Sequence, residues 1–195
     1  LVEVRRGVYG YKMEEFLSEG AAPEAVRILD IAAGLVGIIR KGEGERKKKV
    51  QVYGKEYARL KPHIAHAGDL IISLSGPPFK CAVAEIKDDE GLLISENLAA
   101  ARVQGSAPPE YAAIYLNSPA GQRALSRLAT GSAGVQKIKP ERLEGLEIPA
   151  PSRDRETVYA LARAYCRREK LLAEEEEVRA RVMLGVLQDV LEDGR

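Results

Sequence analysis

Pro149-Ala150-Pro151-Ser152-Arg153-Asp154-Arg155-Glu156-Thr157-Val158 is where the chain changes character. Two prolines, each without the N–H a ladder needs, end whatever precedes them. Ser152 is a capping residue type, and Asp154 and Glu156 suit the positive end of a helix dipole. Nothing after them breaks a helix before Gly194, and the only interior glycine is Gly185. Roughly 40 residues at ~1.5 Å each make a rod of about 60 Å, far longer than an average globular helix. Val158, Leu161, Tyr165, Leu172, Val182 and Val186 fall near heptad spacing, while Arg168, Glu175 and Arg179 sit on the same seam and degrade it. A small domain has no surface long enough to hide that stripe. The expectation is a partner helix, in a second copy or another subunit. The alternative is a helix folded back on its own domain, with Glu174-Glu175-Glu176-Glu177 as a solvated face. The chain thus divides into a globular unit, residues 1–151, and a helical strut, residues 152–195.

Upstream of the prolines, Leu146-Glu147-Ile148 reads as a last strand, Pro140-Glu141-Arg142-Leu143 as one helical turn, and Thr130-Gly131-Ser132-Ala133-Gly134 as a loop. Ser118-Pro119 reads as an N-cap followed by a first-turn proline, opening a helix through Leu125 and Leu128. Pro109 opens another, with Tyr111, Ile114, Tyr115 and Leu116 as its stripe. Earlier segments read as strands: Val26-Arg27-Ile28-Leu29, Leu35-Val36-Gly37-Ile38-Ile39, Leu92-Leu93-Ile94 and Leu98 to Val103. Gly68-Asp69 starts Leu70-Ile71-Ile72-Ser73-Leu74, Gly76-Pro77-Pro78 turns, and Cys81-Ala82-Val83-Ala84-Glu85-Ile86 returns as the second arm of a hairpin. The fold class is α+β, a mostly β domain with a helical insertion followed by a long coiled-coil-type helix.

At 195 residues the chain is the size of one domain with an appendage. Its net charge of +1 gives no bulk argument for nucleic acid. Local charge says more. Arg40, Lys41, Arg46, Lys47, Lys48 and Lys49 crowd a glycine-bearing stretch with no apolar position, which reads either as a loop touching a phosphate backbone or as a solvated hairpin tip. No apolar run approaches the ~20 residues of a membrane span. Two cysteines, Cys81 and Cys166, are too few for a disulfide framework and are expected as free thiols in a reducing cytoplasm. The first residues lack the apolar core of a secretory signal, and the missing initiator Met fits a processed chain or a cut from something longer.

Several stretches, in order, resemble one family. They are Val26 to Asp30-Ile31 with Gly34, Ala67-Gly68-Asp69-Leu70-Ile71-Ile72-Ser73 with Gly76, and Ser95-Glu96-Asn97-Leu98 through Arg102-Val103. Pro109-Glu110-Tyr111 to Gly121-Gln122, Gly131 to Ile138, and Leu146-Glu147-Ile148-Pro149-Ala150-Pro151 continue the set. Together they resemble the type I restriction-modification specificity subunits and their single-domain relatives. The resemblance implies a target-recognition domain whose sheet-borne loops enter the grooves of double-stranded DNA, and a spacer helix that sets the distance between half-sites. The implied partner is an adenine-N6 DNA methyltransferase using S-adenosylmethionine; the chain itself would hold no cofactor or metal and do no chemistry. A full specificity subunit has two recognition domains and two spacer helices, whereas this chain has one of each. A homodimer, a split half and a part of a larger methyltransferase therefore all stay open. Two copies paired antiparallel through residues 153–192 would read an interrupted palindrome.

Three segments are the candidate DNA contacts: the basic loop Arg40 to Lys49, the turn containing Ser75, Gly76 and Lys80, and the loop containing Gly131, Ser132, Gln136, Lys137 and Lys139. Glycines let the backbone approach a duplex, and lysines or arginines beside them neutralise phosphates. Gln136 can pair with adenine and Lys137 with guanine. Tyr53 and Tyr57 read as core or hairpin residues rather than base-stacking ones. Three look-alikes stand against this. Gly76-Pro77-Pro78-Phe79 is similar to an amino-methyltransferase motif but has Gly76 where Asp, Asn or Ser must hold the target amine. Asp69, Glu85 and Lys87 mimic a Mg²⁺-dependent nuclease. His63, His66 and Cys81 suggest zinc without a fourth ligand. A protein-interaction scaffold or decoy for the methyltransferase is the rival from another class.

Overall fold

The computed structural model describes residues 1–7, 25–29, 37–39, 49–51, 58, 60–84, 91–94, 96–131, 136–152 and 154–193. Its strands are β1 (Val2–Arg6), β2 (Ala25–Leu29), β3 (Gly37–Ile39), β4 (Lys49–Gln51), β5 (Ile64–Ala65), β6 (Leu70–Ser73), β7 (Ser75–Gly76), β8 (Cys81–Ala84), β9 (Gly91–Ile94) and β10 (Leu98–Arg102). Helices α1 (Pro109–Asn117) and α2 (Pro119–Leu128) follow, then β11 (Ala129–Thr130), β12 (Gln136–Ile138), a 3-10 turn (Pro140–Leu143) and α3 (Arg155–Asp193). The expected α+β class holds. Among the described residues no helix is long and apolar enough to cross a membrane.

The strands form three sheets, ordered β1-β10-β6-β8-β3, β4-β2-β9-β5 and β11-β12-β7. The expected hairpin is present, β6 and β8 pairing antiparallel with Ile71 opposite Ala82. Its side chains alternate with period two between two separate cores. Leu70, Ile72, Cys81 and Val83 enter one, with Ala112, Ala113 and Leu116 of α1, and Ile71, Ala82 and Ala84 enter the other, with Leu92 and Ile94 of β9. β10 lies between β1 and β6 and is covered on both sides: Ala99 and Ala101 face the first core and Ala100 the second. Alanine is a poor strand former in general, but a central strand with packed layers on both faces leaves room for little else.

That closeness corrects the reading of α1. Its inward face is Ala112, Ala113 and Leu116, whereas Tyr111, Ile114 and Tyr115 of the expected stripe are only half-buried. Tyr111 instead reaches outward, donating its hydroxyl to the Pro149 carbonyl at 2.8 Å and packing its ring 5.1 Å from that of Tyr159 on α3.

Other expectations shift for local reasons. Leu146-Glu147-Ile148 is not a strand; Gly145 takes φ +74 before it, the Leu146 N–H turns back to the Leu143 carbonyl, and Pro149 follows, so that only Leu1 bridges to it from another segment among the described residues. Thr130 belongs to β11 rather than a loop, and Gln136 to Ile138 form β12 where a loop was expected to run on to Lys139. Lys49, assigned to the basic loop, begins β4. The cap of α3 is Asp154, not Ser152: its Oδ1 accepts the Thr157 N–H at 3.2 Å. Those hydrogen bonds from Thr157 hold the Asp154 carboxyl below its ordinary pKa. The cap of α2 is as expected, Ser118 Oγ accepting from the Gly121 N–H.

Asp69 is the only fully buried charged residue among those described, with a side chain 0% exposed. Its Oδ2 accepts from Arg5 Nη1 at 2.6 Å and the His66 N–H at 2.8 Å. Its Oδ1 accepts from Arg102 Nε at 3.2 Å and Nη2 at 3.0 Å. Glu3 bridges the same two arginines from outside, in a stretch where the β1 register slips and Glu3 takes φ +50.

α3 runs 39 residues and docks on α1 through Tyr159, Ala162 and Cys166, all buried. Both cysteines are free and buried, and burial pushes both thiols up. Cys166, which also faces Glu110 and Glu169, reaches about 11.

Asp69→Ala leaves two guanidiniums aimed at an empty site. Because both keep access to water, unfolding free energy should fall by about 2–3 kcal/mol, less than the ~3–5 kcal/mol for a fully buried pair. A lower urea midpoint at unchanged slope is the expected measurement.

Candidate nucleic-acid interface

β7 joins two of the three expected segments into one surface. Gly76 lies opposite Gln136 and Ser75 opposite Lys137, and Lys137 in turn lies opposite Thr130 of β11. The Gly76–Lys80 turn and the residues flanking the Gly131 loop thus form the rim of one small sheet. Ser132 lies outside the described residues. So do Arg40, Lys41, Arg46, Lys47 and Lys48, as do the side chain of Lys49 and Tyr53 and Tyr57. The strand entering that basic segment, β3, runs parallel to β8 with Ile39 beside Ala84. It therefore leaves the sheet at the end of β8 remote from the Gly76–Lys80 turn.

The turn is built over a buried phenyl ring. Phe79 is in the core, Pro77 and Pro78 are exposed above it, and a Cβ on Gly76 would come 2.7 Å from the ring. Only glycine fits there. On one side the turn is held by β6, with Ser73 N–H donating to the Lys80 carbonyl and Lys80 N–H donating to Ser73 Oγ, each at 2.8 Å. On the other side β3 begins only opposite Ala82, and among the described residues two side-chain amides take the place of a strand beside Phe79 and Cys81. Gln122 Oε1 accepts the Phe79 N–H at 2.9 Å, and its Nε2 donates to the Phe79 carbonyl at 2.6 Å and the Leu116 carbonyl at 2.8 Å. Asn117 Oδ1 accepts the Cys81 N–H at 3.0 Å and its Nδ2 donates to the Cys81 carbonyl at 2.7 Å. A carboxamide presents one acceptor and one donor edge as a peptide group does, so each caps a residue in both directions.

Two residues apart in function are neighbours in sequence here. Gly121 lets α2 turn tightly off α1, since a Cβ would lie 2.1 Å from the Tyr115 carbonyl oxygen and 2.4 Å from Leu116 Cα. Gln122, one residue on, is thereby delivered to Phe79.

The charge of this surface is one-sided. Residues 70–84 and 111–140 contain Lys80, Arg123, Arg127, Lys137 and Lys139 and no Asp or Glu, in a chain whose overall charge is nearly balanced. Arg123, Arg127, Lys137 and Lys139 are exposed, and α2 packs on β12. Arg123 and Arg127 are four apart and share a helix face. Sequence reading missed them and Asn117, and named Gln122 only within the resemblance without a role; for the two arginines the absence of acids over 111–140 was the available signal. Of the expected base readers, Lys137 points out from β12, while Gln136 shares the side of buried Ile138 and its Oε1 is buried without a partner.

Among the described residues the catalytic look-alikes are not assembled. Both oxygens of Asp69 are taken by arginines and a backbone amide, and Glu85 and Lys87 lie outside the described residues. Phe79 is buried rather than free to stack on a base. Cys81 is in the core, His66 is exposed, and His63 Nδ1 meets the Arg6 carbonyl at 2.6 Å. Among the described residues no three His, Cys, Asp or Glu gather as metal ligands.

No protein-family model matches the sequence, and no curated protein matches it. Among solved structures, a chain from work on complex assembly and conformational transition of the type I R-M system superposes at TM-score 0.53 and 17% identity, over 92% of this chain and 40% of that one. The chain shares its fold with that type I R-M protein. It spans only 40% of the neighbour's length. The HsdS subunit from Thermoanaerobacter tengcongensis aligns at TM-score 0.45 and 14% identity, over 88% of this chain and 37% of its own.

Gly121→Ala should force α2 away from α1 and cost about 1–3 kcal/mol. A lower melting temperature, with faster amide exchange at Phe79 as Gln122 is drawn off, is the expected outcome.

Proposed function

We propose that this chain is a non-catalytic reader of double-stranded DNA: a target-recognition domain, residues 1–151, on a spacer helix, residues 152–195. It binds one short half-site for an adenine-N6 methyltransferase that carries the S-adenosylmethionine. The observation that carries the reading is the rim where β7, β12 and α2 bring Gly76, Lys137, Lys139, Arg123 and Arg127 onto one small structure, from stretches 70–84 and 111–140 that contain no Asp or Glu. Clustered cations beside a glycine turn are what a phosphate backbone attracts, and Lys137 on a strand is placed to reach a base edge. The shared fold supports the restriction-modification context.

The strut supports a second copy as its partner. Leu161, Tyr165, Leu172, Val182 and Val186 are all exposed, and Val158 is half-buried. At about 100° per residue their seam lies roughly a third of a turn from Tyr159, Ala162 and Cys166, so docking on α1 does not use it. An antiparallel copy centred on Leu172 sets Val158 against Val186, Leu161 against Val182, Tyr165 against Arg179, and Arg168 against Glu175. Every charged seam position then meets an aromatic ring or an opposite charge. A parallel copy sets Arg168, Glu175 and Arg179 each against itself. Two recognition domains at the ends of such a pair would read an interrupted palindrome.

Duplexes selected from a random library should share one short motif, and affinity should fall steeply with salt. Replacing Arg127 and Lys139 by Ala should make the slope of log K against log salt shallower by about 2, at ~0.9 per lost phosphate contact. Binding to a methyltransferase with no duplex preference and no salt dependence would make the chain a scaffold instead.

In sedimentation at micromolar concentration the chain should be a dimer, weakened by Arg168→Glu and restored by Arg168→Glu combined with Glu175→Arg. A parallel pair would show no such restoration, and a monomer throughout would remove the second copy.

A further inference from the structure

We infer that Gln122, seconded by Asn117, is a positioning residue for sequence discrimination: it holds the Gly76–Lys80 turn by backbone alone, so that the exposed side chains of that turn are presented to DNA at fixed positions. The inference rests on the DNA-reading proposal above and concerns the same surface.

A turn at the end of a sheet normally has one bonded side and one free side, and the free side lets it drift. Here Phe79 and Cys81 are bonded in both directions by the amides of Gln122 and Asn117, and Lys80 between them in both directions to Ser73. The holder is itself anchored. Gln122 Nε2 also reaches the carbonyl of fully buried Leu116, and Gly121 fixes the α1–α2 corner from which both amides project. Base readout by hydrogen bonds requires placement within roughly 0.5 Å, which a supporting shell must supply. Within the turn these amides bond only the peptide groups of residues 79 and 81.

The test uses the full chain and a duplex selected on it, against a shuffled duplex of equal length. Gln122→Met keeps side-chain length and removes all three hydrogen bonds. It is expected to lower the ratio of affinities for selected over shuffled DNA by roughly tenfold or more, the scale of one good base contact. The salt slope should stay unchanged, because no cation is lost. Amide exchange at Phe79 should accelerate in this variant, and exchange at Cys81 in Asn117→Ala. A folded Gln122→Met that keeps the original ratio overturns the inference, as does an equal loss of affinity for both duplexes. If Gln122→Met does not fold, Gln122→Glu is read by the same criteria; it keeps the acceptor for the Phe79 N–H and loses both donors. An unaltered chain with no duplex preference overturns the DNA reading and this inference together. Slow Phe79 exchange in that chain would still separate an intact hold from a failed function.

Discussion

A carboxylate removed from water must be neutralised where it stands, and the whole arrangement of the first core follows from how Asp69 meets that requirement. Arg5 comes from the N-terminal strand, Arg102 from the end of β10, and the His66 amide from the turn before β6. One side chain thus ties together segments separated by most of the domain, and does so at the start of the strand that leads to the Ser75–Lys80 turn. With Asp69 in place, β1 is committed to the edge of the five-stranded sheet and β10 to its interior. The same saturation explains why an acidic residue beside a strand has no chemistry here: a metal would have to displace two guanidiniums.

From this sheet a chain of consequences leads to the interface. Alanines on β10 and on the inner face of α1 allow the helix to lie close over the sheet. Asn and Gln are short side chains, so close approach is the condition under which Asn117 and Gln122 can reach the backbone of residues 79 and 81. A larger inner face on α1 would lift both amides out of bonding distance. Packing chosen for small residues in one place therefore sets hydrogen bonding in another.

Features governed by neighbours in sequence were legible before the structure. The β6–β8 hairpin has its turn residues between its strands, Ser118-Pro119 carries its own cap, and the strut declares itself by lacking any breaker. What was hidden depended on distant partners. β1 is Val2-Glu3-Val4-Arg5-Arg6, with little apolar pattern, and becomes a strand because β10 offers a ladder and Asp69 takes Arg5. Gln136-Lys137-Ile138 is too short and too near glycines to read as a strand without β7 beside it. The stripe on α1 was misread because tyrosines outweigh alanines on any apolar scale, while the space available favoured alanine. Two of the three segments expected from composition meet on one small sheet; Arg123 and Arg127 beside them were not expected, because they are spaced along a helix rather than clustered in a run.

α1 connects these levels. Its 9 residues bury Ala112, Ala113 and Leu116 on the sheet, present Tyr111 to Tyr159 and Pro149 at the root of the strut, and end in Asn117 on the backbone of Cys81. The strut and the Gly76–Lys80 turn are therefore fastened to opposite ends of one short helix. A helix is stiff over that length, so the orientation of the turn relative to the strut is fixed by α1 rather than by the loop residues 149–154. In the proposed function, where one surface is presented at a set distance from that of a second copy, this is the consequential constraint. The spacing between two such surfaces is then a property of the strut's length and register, and the direction each one faces is a property of α1.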